Sequence, residues 1–340
     1  MGSHRRVAPS GLDRGSAAVL GVLSVTAAAL GAVPAPAAPA APLDDARAEV
    51  ERLHAAAEKA TEAFNEAEER ADALRGEVRD AQDRIARRQS HVNALRESLG
   101  SLAGAQYRDG GIDPALALLL TSDPDDYLDK AAVLDRIGAR QAGELRNLRK
   151  ALRELAQERA EAAGKVAALD ESRRAVAAHK KTVEQKLAAA RRLLNSLSDD
   201  DRAAYDRASR TGRADLPVPG GDAPASGRAA AALAAARAAL GKPYVWGANG
   251  PTGFDCSGLT QWSYAQAGIA LPRTSQAQRY AGRQVPLSEA RPGDLVTYRS
   301  DASHIGMYAG NGQVIHAPYP GAPVRYDPVG MMPVSSVTRV

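Results

Sequence analysis

One cysteine and two histidines carry the chemistry that this sequence offers. Cys256 is the sole cysteine among 340 residues, so neither an intramolecular disulfide nor a zinc site built on several thiolates is available. It stands in Gly253-Phe-Asp-Cys-Ser-Gly-Leu259, just after Asp255, a good helix N-cap. The spacing predicts a helix from about Cys256 to Ala267, with Leu259, Trp262 and Ala267 able to face a core and Gly268 stopping it. A thiol in a first helical turn meets unpaired N–H groups and the positive end of the helix dipole, which favour the thiolate. Asp255 opposes this weakly if its carboxylate points inward. A cysteine that only packs more often lies mid-helix on the apolar face, so the position reads as that of a nucleophile.

A thiolate nucleophile needs a base. The chain has six histidines; His4 lies in the N-terminal leader, His54, His91 and His179 fall in helical heptads, and His304 and His316 remain. Asp294–Tyr298, Ser303–Ala309 and Gln313–Ala317 alternate and read as strands, the last two joined through Gly310-Asn-Gly312. A two-residue Asn311-Gly312 turn would pair Met307 with His316 and put the two histidines on opposite faces. A three-residue loop 310–312 with Gly312 in the left-handed region would set Gly306 opposite His316. The histidines would then sit diagonally on one face, within hydrogen-bonding reach. Catalysis by Cys256 with both histidines requires the second register. A metal site is the competing use of two histidines and a cysteine, but no carboxylate set accompanies them, and no cofactor is implied.

The elements that must position these groups lie upstream. Only four of the fourteen aromatic residues precede residue 244, so the aromatic core belongs to the last third. From Ala46 to Leu102 apolar residues step by four and three (Val50, Leu53, Ala57, Ala60, Phe64 onward), with Arg88 the one break; the seam resumes from Gln141 through Leu145, Leu148, Leu152, Leu155 and Val166 to Leu197. These are coiled-coil heptads, and two such helices joined by a break fold back most simply as an antiparallel hairpin. The predicted organisation is a leader at 1–40, the hairpin at 41–204 with its tip at 104–126, a Pro- and Gly-rich linker at 205–227 and an α+β domain at 228–340 whose cysteine-bearing helix packs on an antiparallel sheet. Leu116 and Leu118–Leu120 cannot all face a two-helix seam; they either offer a partner site at the tip or form a short helix closing it.

Residues 1–40 combine Arg5, Arg6 and Arg14, an uncharged stretch from Ser16 to Val33 and an Ala/Pro-rich end. That is the pattern of a secretory signal peptide; the stretch is short of the strongly apolar residues a membrane anchor needs. The expected location is outside the membrane, secreted to the cell wall or surface, by the general or the twin-arginine route. Net charge is +4, and residues 228–340 alone carry ten Lys/Arg against five Asp/Glu. This suits an anionic extracellular polymer, and no nucleic-acid-binding motif accompanies it.

The segments Gly241-Lys-Pro-Tyr-Val-Trp-Gly247, Gly253–Leu259, Leu271-Pro-Arg-Thr-Ser275, Arg291-Pro-Gly-Asp-Leu295, Ser303-His-Ile-Gly-Met-Tyr308 and Ile315-His-Ala-Pro318 resemble the NlpC/P60 cysteine peptidases, papain-like cell-wall hydrolases. The family pattern often has a second glycine where this chain has Ala248. The resemblance implies Cys256 as nucleophile, His304 as base, His316 as the polar residue orienting it, Tyr244 lining the site as an oxyanion donor, and Asp255 and Ser257 near the substrate peptide. It implies hydrolysis of a peptidoglycan stem peptide between D-Glu and the diamino acid, or an amidase cut elsewhere in the stem. Tyr107–Gly111, Leu120–Ser122 and Asp125–Leu128 are similar to coiled coils attached to such hydrolases. This implies that the tip docks on a membrane-embedded division complex or that the coil blocks the enzyme. A wall-associated scaffold acting through its coil, with a quiescent peptidase, is the alternative from another class.

Overall fold

Heptad residues of the first half build two helices, α1 (Leu43–Arg108) and α2 (Pro124–Ser196). The computed structural model describes residues 43–108, 124–208 and 223–340. The leader at 1–40, residues 109–123 of the tip and residues 209–222 of the linker lie outside them. Proline opens α2, where its missing N–H costs nothing. The two helices are antiparallel: Glu77 pairs with Lys165, Arg84 with Glu158 and Arg88 with Glu154, so partners rise along one helix and fall along the other. Val50, Leu53, Ala57, Phe64 and Val92 of α1 are buried, with Ala151, Leu155, Leu169, Val183 and Leu187 of α2.

The α2 seam departs from the heptad reading. Leu145 and Val166 are 44% exposed, and Ala151 is buried beside a half-buried Leu152. The departures are local, since Leu155, Leu169, Val183 and Leu187 stay buried at heptad positions on either side of Val166. A short helix α3 (Asp199–Ala208) follows, and Arg202 donates back to the Leu194 carbonyl that ends α2.

The C-terminal domain begins with α4 (Gly227–Ala238), capped by Ser226. Its central helix is α5 (Cys256–Gln266), where the Asp255 carboxylate accepts from Gly258 N–H at 2.6 Å. A single turn, α6 (Ser275–Gln278), follows. Six antiparallel strands, β1 (Arg283–Val285), β2 (Leu295–Tyr298), β3 (His304–Gly310), β4 (Gln313–His316), β5 (Arg325–Pro328) and β6 (Val334–Arg339), lie in the order β1-β6-β2-β3-β4-β5. The alternation in the sequence finds β2, β3 and β4 and misses the other three. Leu233 of α4 and Leu259 and Tyr264 of α5 pack with Leu295, Ile305, Met307 and Ile315 in the main core.

Residues Ala41–Val340 form one compact unit, and the coil is not held at a distance by its linker. Trp246 packs on Ala57, Ala60, Val183 and Leu187, and Phe64 meets its ring edge-on at 5.1 Å. His54 of α1 stacks on Tyr319 with centroids 4.6 Å apart.

The β3–β4 hairpin settles the histidine register by a route between the two expected. Asn311 and Gly312 both have positive φ and close a two-residue turn between Gly310 and Gln313, which alone would separate the histidines. A bulge between Tyr308 and Gly310 then shifts the ladder, so that Tyr308 faces Val314 and Met307 faces Ile315. Gly306 falls opposite His316, and His304 lies diagonal to it on the same face. A Cβ on Gly306 would stand 3.1 Å from both His316 Cβ and the Ile315 carbonyl oxygen. Neither is a flexible tip that could move aside. Gly306→Ala should therefore cost about 1–3 kcal/mol through overpacking, read as a fall in Tm by calorimetry; an unchanged Tm would contradict this hairpin geometry.

Candidate active site

Cys256 sits where the sequence put it, as the first residue of α5, but its ionisation runs the other way. Burial pushes the thiol well above its ordinary value, and the carboxylates of Glu62, Asp255 and Glu58 push it further; the Ile305 N–H, which hydrogen-bonds the sulfur, opposes them. The helix terminus is outweighed because two of the three carboxylates come from α1. Glu62 Oε1 lies 3.6 Å from Sγ, and Glu58 Oε1 lies 3.5 Å from His304 Nδ1.

The histidines form one end of a hydrogen-bonded row. His304 Nε2 is 2.8 Å from His316 Nδ1, with the rings nearly perpendicular. His316 Nε2 is 2.8 Å from Asp327 Oδ2, and Arg325 Nε donates to that same oxygen at 2.8 Å. Burial raises the Asp327 carboxyl, but His316 and Arg325 outweigh it and hold it at about 2. Burial, the cost of placing a second imidazolium beside His316, and the positive Arg299 and Arg325 push His304 well below its ordinary value, so its ring is neutral. His304 Nδ1 is buried without a hydrogen bond; the approach of Glu58 lacks the geometry of one.

Ser257, Arg273 and the backbone of Ser275 make a seat for an anion beside the sulfur. Ser257 Oγ donates to Glu62 Oε1 at 2.7 Å, and Ser275 N–H donates to Glu62 Oε2 at 2.7 Å. Arg273 Nη1 donates to Ser257 Oγ at 3.0 Å and both Arg273 nitrogens bind Asp255. Asp255 also accepts from Gly247 N–H, Gly258 N–H and Asn65 of α1, so its carboxylate frames the α5 terminus and has little capacity left for a ligand. Tyr244 is buried and close enough to the Cys256, Asp255, Glu58 and Glu62 charges that its hydroxyl, raised first by burial, keeps its proton.

The sequence reading brought Cys256, His304, His316, Tyr244, Asp255 and Ser257 to one region; in the structure Cys256, Tyr244, Asp255 and Ser257 gather about Glu62, and His304 with His316 stands against Glu58. The reading missed Arg273, Ser275, Asp327 and the three α1 residues. Glu58, Glu62 and Glu66 repeat every four residues, and neither Glu58 nor Glu62 has a Lys or Arg at that spacing. Such like-charge rows destabilise a free helix, and that was the available signal. Glu58 and Glu62 are only 3% and 2% exposed.

Burial drives Glu58 from 4.5 to about 7 despite the Arg299 guanidinium paired with it, and burial with Asp255 raises Glu62. Carboxyls raised in the docked state favour docking while protonated. The glutamates' share of α1's hold on the site is therefore fullest below about pH 4.5, the ordinary carboxyl value, and is lost as pH climbs to about 7, while the single His54, lowered by burial, acts in the opposite sense. Tryptophan fluorescence of the Trp262→Phe chain, reporting Trp246, should show the coil loosening from pH 5 to 8, and Glu58→Gln should flatten that change. Loosening on acidification would contradict the sign.

The NlpC/P60 family profile matches residues 241–337. A probable endopeptidase of Corynebacterium glutamicum is 47% identical over 117 residues, 34% of this chain and 56% of the relative. The probable endopeptidase p60 of Listeria monocytogenes is 54% identical over 97 residues, 28% of this chain and 20% of the relative. The chain thus spans about half or less of the length of these curated relatives. The solved P60 domain of a Mycobacterium avium subspecies paratuberculosis antigen is 35% identical and covers 33% of this chain and 93% of its own, with a TM-score of 0.31. Residues 241–337 thus form an NlpC/P60 domain, matched by the family profile and shared with relatives named as probable endopeptidases.

Proposed function

We propose that this chain is an exported cysteine endopeptidase of peptidoglycan stem peptides, cutting between D-Glu and the diamino acid, and that α1 restrains it. The observation that carries the reading is the placement of the sulfur. It is 3.6 Å from the carboxylate of Glu62, which fills the Ser257–Ser275 seat, and the next glutamate along the helix, Glu58, stands 3.5 Å from the buried Nδ1 of His304, which has no hydrogen bond.

In the reaction, His304 Nδ1 takes the thiol proton and Cys256 Sγ attacks the carbonyl carbon. The C–N bond breaks, the leaving amine takes the proton from His304, and water hydrolyses the thioester to a free carboxyl. As first residue of α5, Cys256 has a backbone N–H with no intrahelical acceptor. That N–H and the Tyr244 hydroxyl are the donors for the oxyanion; losing one such donor costs about 10²–10³ in rate. The D-Glu residue of a stem joins its neighbour through the side-chain carboxyl and leaves its α-carboxyl free. The Ser257–Arg273–Ser275 seat suits that free group, and Glu62 occupies it from within the chain.

The same plug supports the scaffold reading, in which the domain stays idle, and one experiment separates them. Purified full chain, the Glu58→Ala/Glu62→Ala chain and that chain with Cys256→Ala are each incubated with defined muropeptides, and products are read by mass. We expect slow cleavage by the native chain, at least about tenfold faster cleavage by the double variant, and none with Cys256→Ala. Cleavage that survives Cys256→Ala contradicts the enzyme reading, and an inert double variant favours the scaffold. Export rests on the sequence of residues 1–40, outside the described residues. Among the described residues no helix is long and apolar enough to cross a membrane.

A further inference from the structure

We propose that Asp327 is a positioning residue: by accepting from His316 Nε2–H it selects the tautomers along the row and leaves the lone pair of His304 on Nδ1. This deepens the peptidase reading and rests on it.

The sheet register builds the row. His316 pairs with Arg325 across β4 and β5, and Val314 pairs with Asp327, so Asp327 shares a face with His316 and lies diagonal to it. His304 lies diagonal to His316 from β3. One slanted line therefore crosses three strands, and each step is a 2.8 Å contact.

Hydrogen-bond direction then propagates along that line. An ionised carboxylate can only accept, so His316 Nε2 carries its hydrogen. A neutral His316 is then bare at Nδ1 and must accept from His304 Nε2–H. His304 is in turn bare at Nδ1, the atom a thiol proton needs. Arg325 matters to this outcome. Its Nε donates to the same Asp327 oxygen, so the carboxylate is already neutralised and offers little net charge to hold His316 as an imidazolium. Without an acceptor at 327, His316 is free to carry its hydrogen on Nδ1. It would then donate to His304 Nε2, and His304 would present an N–H to the thiol instead of a lone pair. A carboxylate acting only as a salt-bridge partner of Arg325 would not control this choice.

Imidazole ¹⁵N shifts of the full wild-type chain, labelled on histidine and assigned with His304→Gln and His316→Gln, read the tautomers without any turnover. We expect His304 and His316 both protonated on Nε2 only. His316 protonated on Nδ1, or on both nitrogens, overturns the proposal, whether or not the chain proves to be a peptidase. Asp327→Asn keeps an oxygen acceptor, which Arg325 orients, and should hold the native tautomers. Asp327→Leu should shift them. In the Glu58→Ala/Glu62→Ala chain, Asp327→Leu should lower kcat about 10–100-fold, the usual cost of removing a group that orients a functional histidine, with KM little changed and much of the loss restored by Asp327→Asn. A folded Asp327→Leu chain with native tautomers and native kcat overturns the proposal. If that variant fails to fold, the wild-type tautomers decide alone.

Discussion

Two carboxylates from a helix remote in sequence are buried, one against the Cys256 thiol and the other against the His304 imidazole, and the rest of the molecule is arranged around that fact. Burying a carboxyl is costly unless it is paired or protonated. Glu62 is held by a hydroxyl, a backbone N–H and a nearby guanidinium, and Glu58 by Arg299. Both are raised by burial, and they raise the Cys256 thiol in turn. The coil thus acts twice. It fills the anion seat, and it removes the electrostatic advantage that the α5 terminus would give the sulfur.

The coil can reach the site because its own geometry allows it. Alanines at Ala57 and Ala60 keep α1 close to α2 and to Trp246, while Glu58, Glu62 and Asn65, three and four residues apart, point from one face of α1 toward the α5 terminus. A bulkier α1 surface here would hold the domain away. The contacts are mixed: aromatic packing at Phe64–Trp246 and His54–Tyr319 supplies area, and the buried glutamates and Asn65 supply register. This combination suits a reversible clamp better than a permanent core, since loss of the glutamate protons as pH rises, or a competing anion, can weaken the polar half.

Much of the fold was legible from residue patterns. Heptads gave the hairpin, Asp255 gave the start of α5, and alternation gave the two strands that carry the histidines. What escaped has physical causes. β5 is four residues long, contains an aspartate and ends on proline, so it lacks the composition that marks strands; Asp327 was lost with it. The α1 glutamates look like any solvated helix face until the domain is laid against them, because burial by a distant element leaves no local periodicity. For the same reason the thiol was expected to be lowered: the helix terminus is local, and the opposing charges are 194 and 198 residues away in sequence.

The reactivity of one sulfur reports most directly on the restraint exerted by α1. The rate of Cys256 alkylation by a small neutral reagent, followed by intact mass from pH 6 to 10, should be slow in the native chain, with an apparent thiol pKa above 9. In the Glu58→Ala/Glu62→Ala chain it should be faster, with a lower apparent pKa. Native and substituted chains that react alike across that range would contradict the central claim.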